Sequence, residues 1–211
     1  MIKPDINYWN HFKSVNGALS CAESLAIMNI AAQAPLNGLW LEMGVYKGKS
    51  ALSALYGGSC NEFHLVDTEF EKEIPTSEVV ANISAYTKDK IKVTIIIGES
   101  LEYLANTNNM YSYVFSDAGS HQDGLPMTEV KYLEDRIIPN GIICFHDFDS
   151  QFKEVRECYD YLLGTGKYEE IPINWQEITQ HIDENNIEEG NISWHHNELK
   201  NPNFVGALRR K

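Results

Sequence analysis

The sequence predicts one α/β domain built on a doubly wound, mostly parallel sheet of seven strands, with helices on both faces. Short apolar runs alternate with longer helical patterns along the 211 residues, which is typical of β-α units around a parallel sheet. Two further strand-like runs follow near the end, and we expect the C-terminal one to be antiparallel. No internal repeat or linker interrupts the pattern, so residues 1–211 are predicted to form a single domain.

Five strands are predicted from the apolar runs Leu39–Met43, Phe63–Val66, Val93–Ile97, Tyr113–Ser116 and Gly141–Phe145. The segments between and after them predict helices at Ser50–Tyr56, Ser77–Thr87, Leu101–Ala105, Met127–Ile138 and Gln151–Leu163. A helix at Ala18–Gln33 belongs to an N-terminal helical extension, about residues 1–36.

The two late strands are predicted at Tyr168–Ile173 and Phe204–Leu208. The polar stretch between them, about residues 174–203, is too long for a hairpin turn. Long ordered loops usually carry function, so we expect it to contribute a lid or an acceptor pocket. The roles of its histidines, among them His195 and His196, stay open.

Composition narrows the classes of function. The chain has 43% apolar and 22% charged residues, which is ordinary for a globular protein, and its net charge of −13 argues against a nucleic-acid partner. No apolar run is long enough to cross a membrane, and the N-terminus has no apolar core of a secretory signal. The four cysteines are scattered without a C-x-x-C pair, which favours reduced thiols and a cytoplasmic location.

A glycine-containing loop, GVYKGKS from Gly44 to Ser50, joins the first strand to the next helix. Ligands of open parallel sheets bind at such strand ends. The loop is one residue shorter than a Walker A loop, and the dinucleotide pattern G-x-G-x-x-G is absent. Glu42 lies two residues before the first glycine, where a like charge about 4 Å from a phosphate would cost on the order of 4 kcal/mol. The loop therefore favours a cationic ligand.

The stretches LEMGVYKGKS and LVD (Leu65–Asp67) together resemble motifs I and II of class I S-adenosylmethionine-dependent methyltransferases, which have a Rossmann-like fold. The resemblance implies that Asp67 binds the ribose of S-adenosylmethionine and that Glu99 and Ser100 lie near its adenine. Ser100 is also a candidate helix N-cap. It further implies that the amino-acid end of the cofactor is bound by Glu42, Gly44, Val45, Tyr46, Gly48 and Ser50.

Two downstream segments narrow the resemblance. The macrocin O-methyltransferase-like and cephalosporin-hydroxylase-like subgroup has segments that resemble YVFSDAGSHQDG and NGIICFHDFD. In the first segment the strand ends at Asp117, and in the second it ends at His146 and Asp147. His121 follows Asp117 by four residues, whereas the subgroup's histidine follows by three, so the role of His121 stays open.

Asp117, His146 and Asp147 are the candidate catalytic residues, because neighbouring strands should bring them to one edge of the sheet. They could bind Mg²⁺ or another divalent cation. Alternatively, His146 or Asp147 acts as a general base without metal, or both residues only cap the following helix.

The expected activity is O-methylation of a small hydroxylated acceptor, a sugar or natural product, with neither nucleic acid nor membrane as partner. A homo-oligomer is compatible with the sequence. The alternatives are a P-loop-like nucleotide-binding protein, with Lys49 on phosphate and Asp117 as its acid, and a non-catalytic S-adenosylmethionine-binding protein.

Overall fold

A computed structural model describes residues 1–36, 38–87, 91–118, 124–148, 152–188 and 205–211. Seven strands form one sheet in the order β3-β2-β1-β4-β5-β7-β6, and only β7 runs antiparallel to its neighbours. The predicted fold class is confirmed. The strands are β1 Leu39–Met43, β2 Glu62–Asp67, β3 Lys92–Ile97, β4 Tyr111–Ser116, β5 Ile137–Phe145, β6 Tyr168–Glu170 and β7 Gly206–Arg210.

Eight helices surround the sheet in the described part of the chain, and none is long and apolar enough to span a bilayer. They are α1 Ile6–Ser14, α2 Cys21–Ala31, α3 Lys49–Gly57, α4 Thr76–Ser84, α5 Ser100–Ala105, α6 Leu125–Leu133, α7 Lys153–Gly164 and α8 Trp175–Glu184.

Alternating side chains of the central strands divide the core into two apolar clusters. Trp40 of β1 and Tyr113 of β4 pack into the cluster that contains residues of α1, α2 and α3. Leu41 and Val114, each one residue further along, pack into the cluster with α6 and α7. Because successive side chains of a strand point to opposite faces, this alternation requires helices on both faces.

Several predicted bounds differ from the observed ones, and one observed helix was not predicted. The helix predicted to reach Ile138 ends at Leu133, because Ile137 already pairs with Tyr111 as β5 begins. The strand predicted across Tyr168–Ile173 ends at Glu170. In the long C-terminal excursion, α8 is a helix that the sequence did not predict, and His195 and His196 lie outside the described residues.

Helix α2 begins with a capping box that fixes where its first turn lies. The Ser20 hydroxyl accepts a hydrogen bond from the Glu23 amide at 3.2 Å, and the Glu23 carboxylate accepts one from the Ser20 amide at 2.8 Å. Both otherwise unpaired amides are thereby satisfied. The second carboxylate oxygen of Glu23 is not used in the capping box and can accept a hydrogen bond from a residue at the carboxyl end of the sheet.

Candidate functional site

The glycine loop packs directly against the end of β4. The Gly44 amide donates to the Val66 carbonyl at 3.0 Å. Gly44 has φ 79°, and a Cβ there would lie 2.1 Å from the Asp117 carbonyl oxygen. Only glycine combines this left-handed conformation with so close an approach of two backbones. The loop therefore lies under Asp117, as the order of the strands led us to expect.

Asp67 holds the loop in place. Its Oδ2 accepts hydrogen bonds from the Val45 and Tyr46 amides at 2.8 and 2.7 Å, and its Oδ1 accepts one from the Glu69 amide at 2.8 Å. A carboxylate oxygen accepts two hydrogen bonds, so Oδ2 is fully engaged and Oδ1 retains one position. The predicted binding of ribose by Asp67 is therefore restricted to Oδ1. The two loop amides are already bound to an anion of the chain itself.

Glu42 lies beneath the loop and is completely buried. The Ser50 hydroxyl donates to its Oε1 at 2.5 Å, whereas Oε2 has no hydrogen-bond partner among the described residues. Burial raises the pKa of Glu42 to about 8. Desolvation thus favours the protonated carboxyl at neutral pH, which weakens the expected repulsion of phosphate by Glu42. A cation beside it would favour the ionised form.

A cavity of about 160 Å³, here the loop cavity, lies beside these residues. The N-terminal residues Gly17, Ala18 and Leu19 form one wall, and the glycine loop, Lys49, Asp117 and His146 form the rest. Small-molecule sites are usually about 300–1,000 Å³, so the loop cavity suits one end of a larger ligand. Lys49 begins α3, and its Nζ lies 4.3 Å from the centre of the Phe12 ring.

The residues predicted near the adenine lie where β3 joins α5. Glu99, not Ser100, is the N-cap of α5 and makes no side-chain capping bond, so the predicted Ser100 cap is wrong. The buried Ser100 hydroxyl instead donates to Oε1 of Glu129 in α6. Glu99 lines a separate cavity of about 390 Å³ with Gly98 and Ile97. Contact of Glu99 and Ser100 with adenine stays a prediction.

Asp117, His146 and Asp147 meet at the carboxyl edge of the sheet and form the acid–imidazole cluster. His146 Nδ1 lies 3.2 Å from Asp117 Oδ1 and 3.6 Å from Asp147 Oδ1. One potential ligand atom of each residue lies within 4.8 Å of the others, which suits a single divalent ion. His121 lies outside the described residues.

Glu23 joins this cluster although the sequence analysis did not include it. Its Oε1 lies 3.1 Å from His146 Nε2. Burial opposes a charged imidazole, yet the carboxylates of Asp117 and Glu23 outweigh it and hold the pKa of His146 well above its usual value. For Glu23, burial favours the neutral form, but its hydrogen bond and ion pair with His146 lower its pKa. The S-x-x-E capping box was visible in the sequence, but not its distant partner.

The structural interpretation of His146 and Asp147 was that they cap the next helix and fix the loop before it, and the capping part is wrong. Phe152 is the N-cap of α7, and its side chain makes no capping hydrogen bond. Asp147 has φ 53°, a left-handed conformation that is uncommon outside glycine and occurs more often at functional positions.

Comparison with known proteins agrees with this site. A family model described as a methyltransferase domain matches residues 41–148, just over half of the chain. The chain belongs to this methyltransferase family. The matched span of the methyltransferase includes the glycine loop, Asp67 and the acid–imidazole cluster. No curated protein matches the sequence.

Solved structures share the fold of this methyltransferase at low sequence identity. An O-methyltransferase from Bacillus cereus, in complex with SAH, has a TM-score of 0.60 and 12% identity, covering 100% of this chain and 94% of its own. TomG, an O-methyltransferase from Streptomyces achromogenes in complex with SAM, has a TM-score of 0.58 and 15% identity, covering 82% and 84%. An rRNA methylase from Streptococcus thermophilus has a TM-score of 0.51 and 11% identity, covering 100% and 98%.

These likenesses establish the Rossmann-like methyltransferase fold and do not identify the acceptor, because proteins named for different acceptors share it. The macrocin O-methyltransferase-like and cephalosporin-hydroxylase-like subgroup stays a prediction from the sequence.

Proposed function

We propose that this methyltransferase uses S-adenosylmethionine to methylate a hydroxyl oxygen of a small acceptor. The observation that supports the proposal best is that the acid–imidazole cluster and the loop cavity have two residues in common. Asp117 and His146 belong to the acid–imidazole cluster and also line the loop cavity. Groups able to activate a hydroxyl therefore adjoin a cavity suited to one end of a cofactor.

S-adenosylmethionine supplies a methyl group on a sulfonium, next to an ammonium. The Asp117 carboxylate, which lines the loop cavity, suits such cationic groups, and Glu42 lies buried beneath the loop. We assign the amino-acid end to Glu42, Gly44, Val45, Tyr46, Gly48 and Ser50, the ribose to Oδ1 of Asp67, and the adenine to Glu99 and Ser100.

In methyl transfer the acceptor oxygen forms a bond to the methyl carbon as the carbon–sulfur bond opposite it breaks. The sulfur keeps the bonding electron pair, and the hydroxyl proton must leave the oxygen. We assign Asp147 to receiving that proton and Asp117 to orienting the hydroxyl, with His146 fixing both carboxylates. Most of the rate enhancement should come from alignment, because a well-placed neighbour is worth about 7–11 kcal/mol of the barrier.

The donor set of the acid–imidazole cluster also fits a divalent cation, Mg²⁺ or a softer metal. When bound, such an ion would lower the pKa of the acceptor hydroxyl. We propose that Asp117, Asp147 and His146 bind it, and that the imidazole gives up the proton favoured by Asp117 and Glu23 when the ion binds.

The nucleotide-binding alternative is weaker. A phosphate-binding loop needs free backbone amides, and those of Val45 and Tyr46 are bound to Asp67. The non-catalytic alternative predicts that S-adenosylmethionine binds, yet Asp147→Asn leaves every assayed activity unchanged.

Calorimetry with S-adenosylmethionine, ATP and NAD tests the proposal. We expect binding of S-adenosylmethionine alone, and tight ATP binding without any response to S-adenosylmethionine would refute it. A screen of hydroxylated small molecules with methyl-labelled cofactor would then identify an acceptor, and the labelled atom should be attached to oxygen.

A further inference from the structure

A second cavity, of about 530 Å³, opens beyond β5 and is here called the rim cavity. Its walls include the rings of Phe148, Tyr159 and Trp175, the charged side chains of Arg156 and Glu170, and aliphatic residues from β7 and from the segment after β6. Its volume is in the usual range for a small-molecule site.

The rim cavity lies at the same edge of the sheet as the loop cavity. Because β7 is antiparallel to β5, its first residue, Gly206, pairs with Phe145 at the carboxyl end of β5. Phe148 of the rim cavity follows Asp147 directly, and His146 lines the loop cavity. Residues 146–148 thus have one end at each cavity, and two members of the acid–imidazole cluster, His146 and Asp147, belong to this segment.

We propose that the rim cavity is the acceptor site and that it takes a planar aromatic alcohol carrying a carboxylate. This inference rests on the proposed methyltransferase function and names its substrate class. Three aromatic rings and aliphatic walls suit the faces of a planar ring. A sugar has hydroxyls on its ring instead of a planar aromatic face, so we expect it to pack less well against these three rings.

Arg156 supplies the recognition of the carboxylate. Its Cζ lies 4.7 Å from the centre of the Phe148 ring and 5.6 Å from that of Tyr159, so the guanidinium is stacked over both. Its Nε donates to Asp160 at 3.3 Å, and the side chain is 54% exposed. A guanidinium has five N–H donors, so its terminal nitrogens can bind a carboxylate in two places. The described lining of the rim cavity contains no other cationic side chain.

Gly206 sets the position of the aromatic wall. A Cβ at this residue would lie 2.7 Å from Cδ2 of Phe148, so the ring lies flat against the start of β7 only because the residue is glycine. An alanine there must displace the ring, which lines the rim cavity, and so change the shape of the space for an aromatic ligand.

Calorimetry on the full chain loaded with S-adenosylhomocysteine tests the proposal, with 3,4-dihydroxybenzoate, catechol and glucose as probes. We expect 3,4-dihydroxybenzoate to bind most tightly and glucose not to bind. Arg156→Gln should weaken 3,4-dihydroxybenzoate about 10- to 100-fold, the range of a charge-assisted hydrogen bond, and catechol less than about threefold. Gly206→Ala should weaken both aromatic probes.

Lys153→Gln is the matched control, because Lys153 is an exposed cation of the same helix that pairs with Glu157 and does not line the cavity. It should leave all three affinities unchanged. The proposal would be overturned if Arg156→Gln lowered the affinities for 3,4-dihydroxybenzoate and catechol equally, or if glucose bound more tightly than both. So would failure of both aromatic probes to bind a chain that binds S-adenosylmethionine. A chain that does not bind S-adenosylmethionine would instead refute the proposed function.

Discussion

His146 Nε2 lies 3.1 Å from Glu23 Oε1, although 123 positions separate the two residues. The contact ties the first turn of α2 to the end of β5, and both side chains are buried. The N-terminal helical extension is therefore part of the site and not an appendage to the sheet.

The first prediction concerns this contact. Glu23→Gln keeps a hydrogen-bond acceptor but removes the negative charge beside His146, and losing one partner of a buried pair is costly. We expect a decrease of about 2 kcal/mol in the free energy of unfolding, measured by urea denaturation at pH 7. Glu157→Gln, at an exposed pair of α7, should cost under about 1 kcal/mol. Equal losses in the two variants would contradict the assigned contact.

A second prediction separates backbone strain from steric fit in the glycine loop. Gly44 and Gly166 have similar φ values, 79° and 72°, but a Cβ at Gly166 would meet nothing within 4 Å. Gly166→Ala should therefore lower the free energy of unfolding by about 1–2 kcal/mol, which is the energy that a non-glycine residue needs to adopt the left-handed conformation. Gly44→Ala adds a clash with the Asp117 backbone and should cost more than about 3 kcal/mol or prevent folding. Similar melting temperatures for the two variants would exclude the close packing described for the loop.

The third prediction is a dependence of stability on pH that comes from Glu42. Its pKa rises from 4.5 to about 8 on folding, so the folded chain holds this proton more tightly than the unfolded chain. The contribution is complete below pH 4.5 and is lost as pH rises towards 8. Glu42→Gln cannot ionise, so the variant should gain on the order of 3 kcal/mol relative to the native chain between pH 5 and pH 9.

Urea unfolding at both pH values measures this difference. Glu78→Gln, which alters an exposed acid paired with Lys47, serves as the control and should follow the native curve. Parallel curves for Glu42→Gln and the native chain would show that Glu42 does not change its ionisation in this range.

The fourth prediction concerns the metal. Treatment with EDTA should abolish methyl transfer and leave the affinity for S-adenosylmethionine within about twofold, and Mg²⁺ should restore turnover. Asp147→Asn should lower kcat by about 100-fold or more, while Asp135→Asn, at an exposed acid just before β5 and so at the other end of that strand, should not change it. Activity that resists the chelator would refute the role of the metal, and Asp147 would then act as a general base without it.

The sequence predicted the order of the central elements because apolar runs and breakers are local signals. The bounds of β1, Leu39–Met43, were predicted to the residue. The start of β5 was missed because Ile137 pairs with Tyr111 on another strand, with a register shift that follows at once. Such pairing is not encoded in the periodicity of either segment.

For the candidate site, the sequence predicted which side chains come together but not their hydrogen bonds or protonation. The meeting of Asp117 with His146 follows from strand order, which sequence motifs indicate well. The raised pKa of Glu42 and the hydrogen bonds of Asp67 to the loop amides could not be predicted in this way. Both depend on how deeply a side chain is buried and on which amides face it. Ser100 shows the same limit, since its hydroxyl is directed to Glu129 on a helix 29 positions away.

The contact of Asp67 with two loop amides has a consequence for redesign. The chain already carries, on the neighbouring strand, the anion that a phosphate would have to replace. Inserting the residue that would restore Walker A spacing would therefore not create a triphosphate site, because the tethered carboxylate competes at a very high local concentration. An engineer who wanted nucleotide binding would have to remove Asp67 first, and would then have to find another way to keep the loop folded.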